Sequence, residues 1–231
     1  LVGFVLCATK LNGVRNMYEN LEKGRSMIEM LGVLAIIGVL SVGGIAGYSK
    51  AMEIWKINKA IEEYSFLIAG LTEHSEQLAK MSNLNPALTC IGDFALAANF
   101  VSGTWKRLSA CDFYDSIGSK VGIYTIQGSI VVEISLGGSN YKYNENNERF
   151  NDFSSRKCEI IYKNLIQPLH EALDYSNFVR TGNSGWLNYY GDKMCSNGRK
   201  CIKDLTPAEI NKLCNSCSKG KEVCDITIVF H

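Results

Sequence analysis

The chain has 231 residues, of which 46% are hydrophobic, and its formal net charge is +1. This length accommodates one compact domain in addition to a long apolar segment. A charge balance this close to zero lacks the electrostatic footprint of a nucleic-acid-binding protein, so we expect no nucleic-acid partner. Of the nine cysteines, all except Cys7 follow the apolar segment, which leaves an even number, eight, behind it. This pattern predicts a domain that is exported to an oxidising compartment and held by disulfides.

The start of the chain is unusual, because Leu1 is not a normal initiator and Met17 opens a short polar leader, MYENLEKG. We interpret residues 1–16 as an over-extended start or a remnant. The alternative is a long natural leader with its own apolar patch, LVGFVLCA. In either case Arg15 and Lys23 precede the apolar run and favour retention of this end in the cytoplasm.

An uncharged run extends from Met30 to Ser49. At about 1.5 Å per helical residue, a run of about 20 residues spans about 30 Å, the thickness of the hydrocarbon core of a bilayer. It is longer than the apolar region of a secretory signal peptide and continues without a break into an amphipathic helix. A signal-anchor helix accounts for the run but not for Glu29 at its head. A carboxylate near bilayer depth costs about 2.5 kcal/mol or more without a partner, so Glu29 is a functional candidate.

Beyond Met52 the apolar residues recur at alternating steps of three and four, which is one stripe of an amphipathic helix. The stripe consists of Ile54, Ile57, Ile61, Tyr64, Ile68 and Leu71. We predict a single helix from about Ser26 to Lys80, apolar on all sides in its first half and on one side in its second. The helix should end near Pro86, because the position before a proline disfavours helix. We expect the stripe to pack on the chain's own domain.

The middle of the chain predicts both strands and helix. Residues 121–126 and 129–136 read as two β-branched strands joined in a hairpin at Gln127-Gly128. The polar residues 140–152 predict an exposed loop. Residues 154–178 predict a helix that Pro168 kinks.

Residues 180–222 are rich in Gly, Asn, Ser and Cys, with one strong local signal. Thr206 can cap a short helix, Pro207 occupies its first position and Glu209 completes a capping box. Residues 224–230 read as a closing strand.

Two cysteine patterns allow other chemistry. The stretch CNSC, from Cys214 to Cys217, has the spacing of a redox-active Cys-x-x-Cys but no βαβ unit around it. The same two cysteines with Cys195 and Cys201 have the ligand type of a zinc site. We favour disulfides over both, because an exported, oxidising setting favours them.

Other chemistry-bearing residues carry weaker signals. His170, Glu171 and Asp174 offer metal-ligand atoms, but a solvated helix face is the simpler interpretation. No Ser/His/Asp arrangement, phosphate-binding glycine loop or pair of catalytic carboxylates stands out in the sequence. We therefore expect a protein that is not an enzyme and that has no cofactor and no metal.

The stretch G-RSMIE-MLGVLAIIGVLSVGGIAGY resembles the class III signal of type IV pilins and pseudopilins. In that family a prepilin peptidase cuts after a glycine on the cytoplasmic side and methylates the new amino terminus. The fifth mature residue is a glutamate, and an apolar helix follows. Here Gly24 matches the glycine, Arg25 is mature residue one, and Glu29 falls on the fifth position. The rest of the chain resembles the family only in its predicted architecture.

The resemblance supplies a partner for Glu29. In an assembled filament of this family, the glutamate of one subunit pairs with the mature amino terminus of a neighbour. Burying either charge alone is costly, so bringing them together across subunits fixes the register. The guanidinium of Arg25 is an alternative or additional partner. Arg25 stands where the family usually has phenylalanine or methionine, a departure that bears on methylation rather than on cleavage.

A second departure from the family is Ala46, which stands where a proline is usual in the mature helix. If the helix loosens during assembly, glycines must permit it through their low helix propensity. Gly43 and Gly47 also form a GxxxG, a weak signature of close helix packing in membranes. The glycines concerned are Gly38, Gly43, Gly44 and Gly47.

Together these observations predict an α+β fold of type IV pilin-like architecture. A long N-terminal helix packs on a small antiparallel sheet that carries a disulfide-bracketed C-terminal region. Residues 1–24 form the predicted leader, 25–52 the transmembrane or filament-core half of the helix, and 53–231 the exported globular domain, which includes the amphipathic half.

The resemblance implies a structural subunit. It is inserted in the cytoplasmic membrane, cleaved after Gly24 and polymerised with copies of itself into a periplasmic or extracellular filament. Its expected partners are the prepilin peptidase, the assembly machinery and, before assembly, membrane lipid.

Three alternatives stay open. The first is a minor pilin or pseudopilin of a secretion or DNA-uptake system. The second, from another class, is a membrane-anchored thiol-disulfide enzyme that uses Cys214 and Cys217. The third is a single-pass adhesin or receptor that never polymerises.

Eight cysteines allow many pairings. The candidates are Cys90, Cys111, Cys158, Cys195, Cys201, Cys214, Cys217 and Cys224. We expect two local loops and one long-range bridge: Cys90 with Cys111, Cys195 with Cys201, and Cys158 with Cys224.

Overall fold

A computed structural model describes the backbone of residues 2–84, 88–137, 154–181, 185–196, 198–217 and 223–231. Side chains are described from residue 29 onward within these ranges, except at positions 83, 84, 181 and 185. The chain divides into two compact units, residues 1–54 and residues 55–231. The predicted loop at 140–152 lies outside the described residues.

Helix α1 extends from Val2 to Glu73 and supplies residues to both units. It begins before the predicted Ser26, because the leader MYENLEKG contains no proline and consists mostly of good helix formers. In the second unit its apolar stripe is buried as predicted, with Ile57, Tyr64 and Leu71 all at most 5% exposed. Burying each such side chain stabilises the domain by about 1.5–3 kcal/mol.

The predicted single helix is interrupted at His74. Helix α1 ends at Glu73, and a separate helix α2 extends from Ser75 to Leu84. Nδ1 of His74 lies 3.0 Å from the carbonyl oxygen of Gly70, while its backbone N–H donates to Leu71 O at 3.2 Å. The His74 side chain thus contacts the carbonyl oxygen that would accept from the His74 backbone N–H in a continuous helix. The chain makes a turn at His74, and helical structure resumes at Ser75.

The second unit contains an antiparallel sheet of eight strands, in agreement with the predicted fold class. The strands are β1 (Thr89–Cys90), β2 (Lys106–Arg107), β3 (Asp112–Tyr114), β4 (Lys120–Ile126), β5 (Ser129–Ser135), β6 (Tyr175–Thr181), β7 (Gly185–Tyr190) and β8 (Val223–Phe230). Their order is β2-β3-β4-β5-β8-β6-β7, and β1 pairs with the part of β4 that β3 leaves free. The closing strand β8 therefore lies between two hairpins, and most of its residues are buried.

The β4–β5 hairpin turns at Gln127-Gly128, as predicted, and pairs Ile126 with Ser129. Both turn residues have positive φ, 50° at Gln127 and 88° at Gly128. This is the backbone of the two-residue turns whose twist matches that of the flanking strands. Glycine at the second position adopts it without strain.

Shorter helical segments follow α1 and α2 in the described part of the chain. They are α3 (Gly92–Ala97), α4 (Ser155–Ile161), a π-helical turn (Tyr162–Ile166) and α5 (Pro207–Cys214). Helix α5 begins with the predicted capping box, in which Thr206 Oγ1 accepts from Glu209 N and the Glu209 carboxylate accepts from Thr206 N.

The predicted helix at 154–178 is too long. Helix α4 ends at Ile161, the π-helical turn follows, and Gln167 N donates to Tyr162 O, five residues back. Pro168 has no N–H to continue the ladder and crowds the preceding turn, so the helix ends there instead of bending. Residues from Tyr175 onward form strand β6.

Candidate functional site

The apolar run in the middle of α1, from Met30 to Ser49, is exposed along its whole length. Its large hydrophobic side chains are between 52% and 75% exposed, in contrast to the buried stripe further along the same helix. They are Met30, Leu31, Val33, Leu34, Ile36, Ile37, Val39, Leu40, Val42, Ile45 and Tyr48. An apolar surface of this extent requires either an apolar partner or an apolar solvent.

This helix meets the length and composition of a membrane span. Within Glu29–Glu73, a window of mean hydropathy 2.2 has none of its residues buried in the described molecule. By length and composition alone, it is the helix of the described chain that is long and apolar enough to cross a membrane.

The predicted processing and assembly residues lie on α1. Gly24 and Arg25 have helical backbone, and their side chains lie outside the described ones. Glu29 is exposed and opens the apolar run. Cleavage at Gly24 and pairing of Glu29 between subunits stay predictions.

The four glycines of the run do not serve contacts within the described chain. A Cβ built on Gly38, Gly43, Gly44 or Gly47 meets nothing within 4 Å. The helix passes through all four without a break. Their predicted role is to let the helix loosen during assembly. The continuous helix described here does not test that role, so it stays a prediction.

Two of the predicted cysteine pairings are present. Cys90 is bonded to Cys111 where β1 and β3 meet along β4, with their Cα atoms 4.6 Å apart. Cys195 is bonded to Cys201 and closes a loop of six residues after β7.

The predicted Cys158–Cys224 bridge is wrong. Cys158 on α4 is bonded to Cys214 at the end of α5, because these two helices pack together and bring the Cα atoms to 5.7 Å. Cys224 on β8 is bonded to Cys217, with Cα atoms 6.3 Å apart. Both separations are within the usual range for a disulfide.

The same pairings decide the alternatives for the CNSC stretch. Cys214 and Cys217 are bonded to different partners, so they do not form a Cys-x-x-Cys disulfide. The four cysteines considered as zinc ligands are divided among three disulfides, and a sulfur in a disulfide is not a thiolate ligand.

A buried polar cluster, which the sequence does not reveal, joins α1, α4 and the turn before β4. The hydroxyl of Tyr64 donates to the Asp115 carboxylate, which also accepts from the backbone N–H of Ser119 at 2.6 Å. The Lys157 ammonium donates to Ser119 Oγ and, at 3.1 Å, to the carbonyl oxygen of Ser135. Burial lowers the pKa of Lys157 to about 8, partly offset by Asp115.

Glu63 fixes the amphipathic part of α1 to the following loop. Its carboxylate accepts from Trp105 Nε1 at 2.8 Å, from Ser116 Oγ at 2.7 Å and from the hydroxyls of Ser102 and Thr104, both at 3.2 Å. These partners lie between 39 and 53 residues away in sequence, so no local pattern could identify them.

Asp174 does not join His170 as the sequence pattern proposed. Its carboxylate contacts Nδ1 of His231, whose Nε2 lies 3.0 Å from Ser129 Oγ. The contacts run Asp–His–Ser, which is the order of a catalytic triad. An enzyme with such a triad also needs backbone N–H groups that are free to donate to an oxyanion. The backbone N–H of the adjacent Gly128 already donates to Ser82 Oγ, at 2.9 Å. The contacts fasten the end of β8 to the start of β5.

A different carboxylate approaches His170. Oδ1 of Asp192, in the turn after β7, lies 3.1 Å from Nδ1 of His170, and Lys203 Nζ lies 3.4 Å from the same oxygen. The sequence-based set of His170, Glu171 and Asp174 therefore becomes His170, Glu171 and Asp192 in space.

Comparisons with known proteins add no relative. No family model, no curated protein and no solved structure matches the chain. The second unit has a pilin-like architecture, in which the amphipathic end of the long helix α1 packs with an antiparallel sheet.

Proposed function

We propose that this chain is the structural subunit of a type IV pilus-like filament. It waits in the cytoplasmic membrane, is cleaved after Gly24 and polymerises through the apolar half of α1. The globular domain then faces outward.

One observation carries the proposal: α1 changes character along its length. The stripe from Ile57 to Leu71 is buried by the sheet domain, whereas the run from Met30 to Tyr48 is exposed on every side. A helix that only anchored the domain would also have an exposed apolar run, because lipid would surround it. Glu29 at the head of the run adds a charge that lipid does not stabilise and that a neighbouring subunit can.

The charge has a suitable partner once the chain is cleaved. Cleavage after Gly24 creates an α-ammonium four residues before Glu29 and adjacent to the same apolar run. Packing one apolar helix against another brings the ammonium of one subunit to the carboxylate of the next. Because a lone charge is costly in such a core, the pair selects one register of the growing filament.

Intact mass and peptide mapping of protein sheared from cells test this function. We expect filaments whose subunits begin at Arg25, with eight of the cysteines oxidised. Subunits that begin at Met17 or earlier would refute the proposal. Abundance separates the major pilin from the minor pilin or pseudopilin, because a major subunit dominates the sheared fraction. The thiol-disulfide enzyme requires free or exchangeable thiols at Cys214 and Cys217, which the same mapping detects.

A further inference from the structure

Two turns of the globular domain bring three metal-ligand side chains together. His170 and Glu171 lie between Pro168 and β6, and Asp192 lies just after β7. Nδ1 of His170 is 3.1 Å from Oδ1 of Asp192. A carboxylate oxygen of Glu171 completes a set whose three atoms all lie within 4.8 Å of one another.

The turns that carry these side chains are held in place. Gly191 N donates to Asp174 O at 2.8 Å, and Asp192 N donates to His170 O at 2.9 Å. A Cβ on Gly191 would lie 1.8 Å from Leu173 O, so the approach requires glycine. The Cys195–Cys201 disulfide closes the loop that follows. The arrangement of His170 and Asp192 is thus fixed by the backbone before any ligand binds.

The two closest atoms are buried and lack hydrogen bonds. Within the described residues, neither His170 Nδ1 nor Asp192 Oδ1 has a hydrogen-bond partner, although they are 3.1 Å apart. Asp192 Oδ1 does lie within ion-pair distance of Lys203 Nζ, at 3.4 Å, so the charge of this carboxylate is partly balanced. In a tetrahedral zinc site with bonds of about 2.0–2.2 Å, neighbouring ligand atoms are about 3.3–3.6 Å apart, so a zinc ion would require His170 Nδ1 and Asp192 Oδ1 to separate by a few tenths of an ångström.

We propose that His170, Glu171 and Asp192 form a binding site for a zinc-like transition-metal dication. The imidazole nitrogen favours such a metal over Ca²⁺ or Mg²⁺, which prefer oxygen ligands alone. Three protein ligands leave a fourth position for water or for a group from another molecule. This site is separate from the apolar helix, so it does not depend on filament assembly.

Lys203 gives the site an internal competitor. Its ammonium lies 3.4 Å from Asp192 Oδ1, where the metal would bind. The metal must therefore displace a like-charged group, and removal of that group should favour the metal. Removing the ammonium strengthens the attraction of Asp192 for any dication, so the loss of affinity expected in His170→Gln is what identifies the imidazole as a ligand.

The test is calorimetric titration of the full chain with Zn²⁺ in non-ionic detergent, after removal of metals and without reductant, so that the disulfides stay closed. We expect one equivalent to bind and the melting temperature to rise. Because changes to outer-shell partners alone lower affinity about 10–100-fold, His170→Gln and Asp192→Asn should each lower it at least about tenfold. Lys203→Gln should raise it. Asp204→Asn, an exposed carboxylate in the same loop, is the matched control and should change nothing.

Three results would overturn the site: no Zn²⁺ binding by the parent, unchanged affinity in His170→Gln, or preference for Ca²⁺ over Zn²⁺. Circular dichroism and the disulfide count check that each variant is folded. If Asp192→Asn fails to fold, the other two variants still test the site, because His170→Gln should lower the affinity for Zn²⁺ and Lys203→Gln should raise it. Weaker binding of Zn²⁺ by Lys203→Gln would refute the proposed geometry.

Discussion

Glu29 is the charged residue on which the proposed filament assembly depends, at the start of the exposed apolar run. Glu29→Gln keeps the size of the side chain and removes its charge, so membrane insertion and cleavage at Gly24 should continue. Assembly should fail, because the ammonium of a neighbouring subunit then lacks its counter-charge. Loss of one member of a buried pair costs about 3–5 kcal/mol, which is about a thousandfold in a subunit-addition equilibrium. The measurement is the yield of sheared filaments beside the membrane-bound pool.

Glu53→Gln is the control for this experiment, because Glu53 is also exposed on α1 but lies beyond the apolar run. Its filament yield should match that of the parent. Normal filaments from a cleaved Glu29→Gln subunit would show that this carboxylate does not organise assembly. A simple membrane anchor predicts no phenotype for either variant.

Gly191 is the residue whose missing side chain matters most to packing. A Cβ there would lie 1.8 Å from the carbonyl oxygen of Leu173 and 2.8 Å from that of His170. Backbone atoms cannot move aside as a flexible side chain can, so Gly191→Ala should lower the free energy of unfolding by about 1–3 kcal/mol or more. Urea unfolding measures this loss. Gly103→Ala, where a Cβ meets nothing within 4 Å, should be close to neutral, and equal losses in both variants would contradict the packing argument.

Among the elements, the disulfides differ in the length of chain they close. Cys158–Cys214 closes 56 residues and Cys195–Cys201 closes 6. If loop entropy in the unfolded chain dominates, these bonds stabilise the domain by about 4 and about 2 kcal/mol respectively. Replacing each pair by alanine and measuring urea unfolding should reproduce that order. A larger loss for the short loop would mean that native contacts of Cys195 and Cys201, rather than loop length, set their contribution.

Elements with local signals could be predicted from the sequence. The Gln127-Gly128 hairpin, the Thr206 capping box and the buried stripe of α1 each depend on residues within a few positions of one another. The failures share the opposite property. Strand β6 replaces the end of a predicted helix because pairing with β7 and β8 outweighs the local pattern. Asp192 approaches His170 only through the fold, so spacing favoured the neighbouring Asp174 instead.

At the scale of the whole molecule, the partly buried Asp225 and the buried Lys157 make stability depend on pH. Burial, with help from Glu133, raises the pKa of Asp225 to about 7. The folded state therefore holds a proton that the unfolded state releases near its ordinary value of about 3.9. The stability from this group is fully present below about pH 4 and is lost as pH rises through about 7.

Lys157 acts in the opposite direction at higher pH. Burial lowers its pKa to about 8, whereas the unfolded value is about 10.4. The folded state loses its proton first, so stability rises between about pH 8 and pH 10. Together the two groups predict a minimum of stability between about pH 7 and pH 8.

Urea unfolding of the full chain in detergent, followed by tryptophan fluorescence across pH 4 to 10, measures this profile. Asp225→Asn should remove the fall on the acid side, and Lys157→Met should remove the rise on the alkaline side. Because Asp225 and Lys157 interact electrostatically, the double variant is measured as well, so that the contribution of each group is separated from their interaction. A difference between variant and parent that does not vary with pH would show that the group keeps its ordinary pKa in the folded protein.

The position of β8 has a consequence for the order in which the chain acquires its structure. Strands β4 and β5 form one hairpin and β6 and β7 another, and β8, which follows both in sequence, pairs with β5 on one side and β6 on the other. In a chain that is synthesised from its amino terminus, β5 and β6 precede the strand they share. Until β8 is present, each of them leaves one edge without a pairing strand. Open edges invite pairing with other chains. A chain halted before Val223 would lack the strand that pairs with both β5 and β6, and we expect it to associate with other chains more readily than the full chain does.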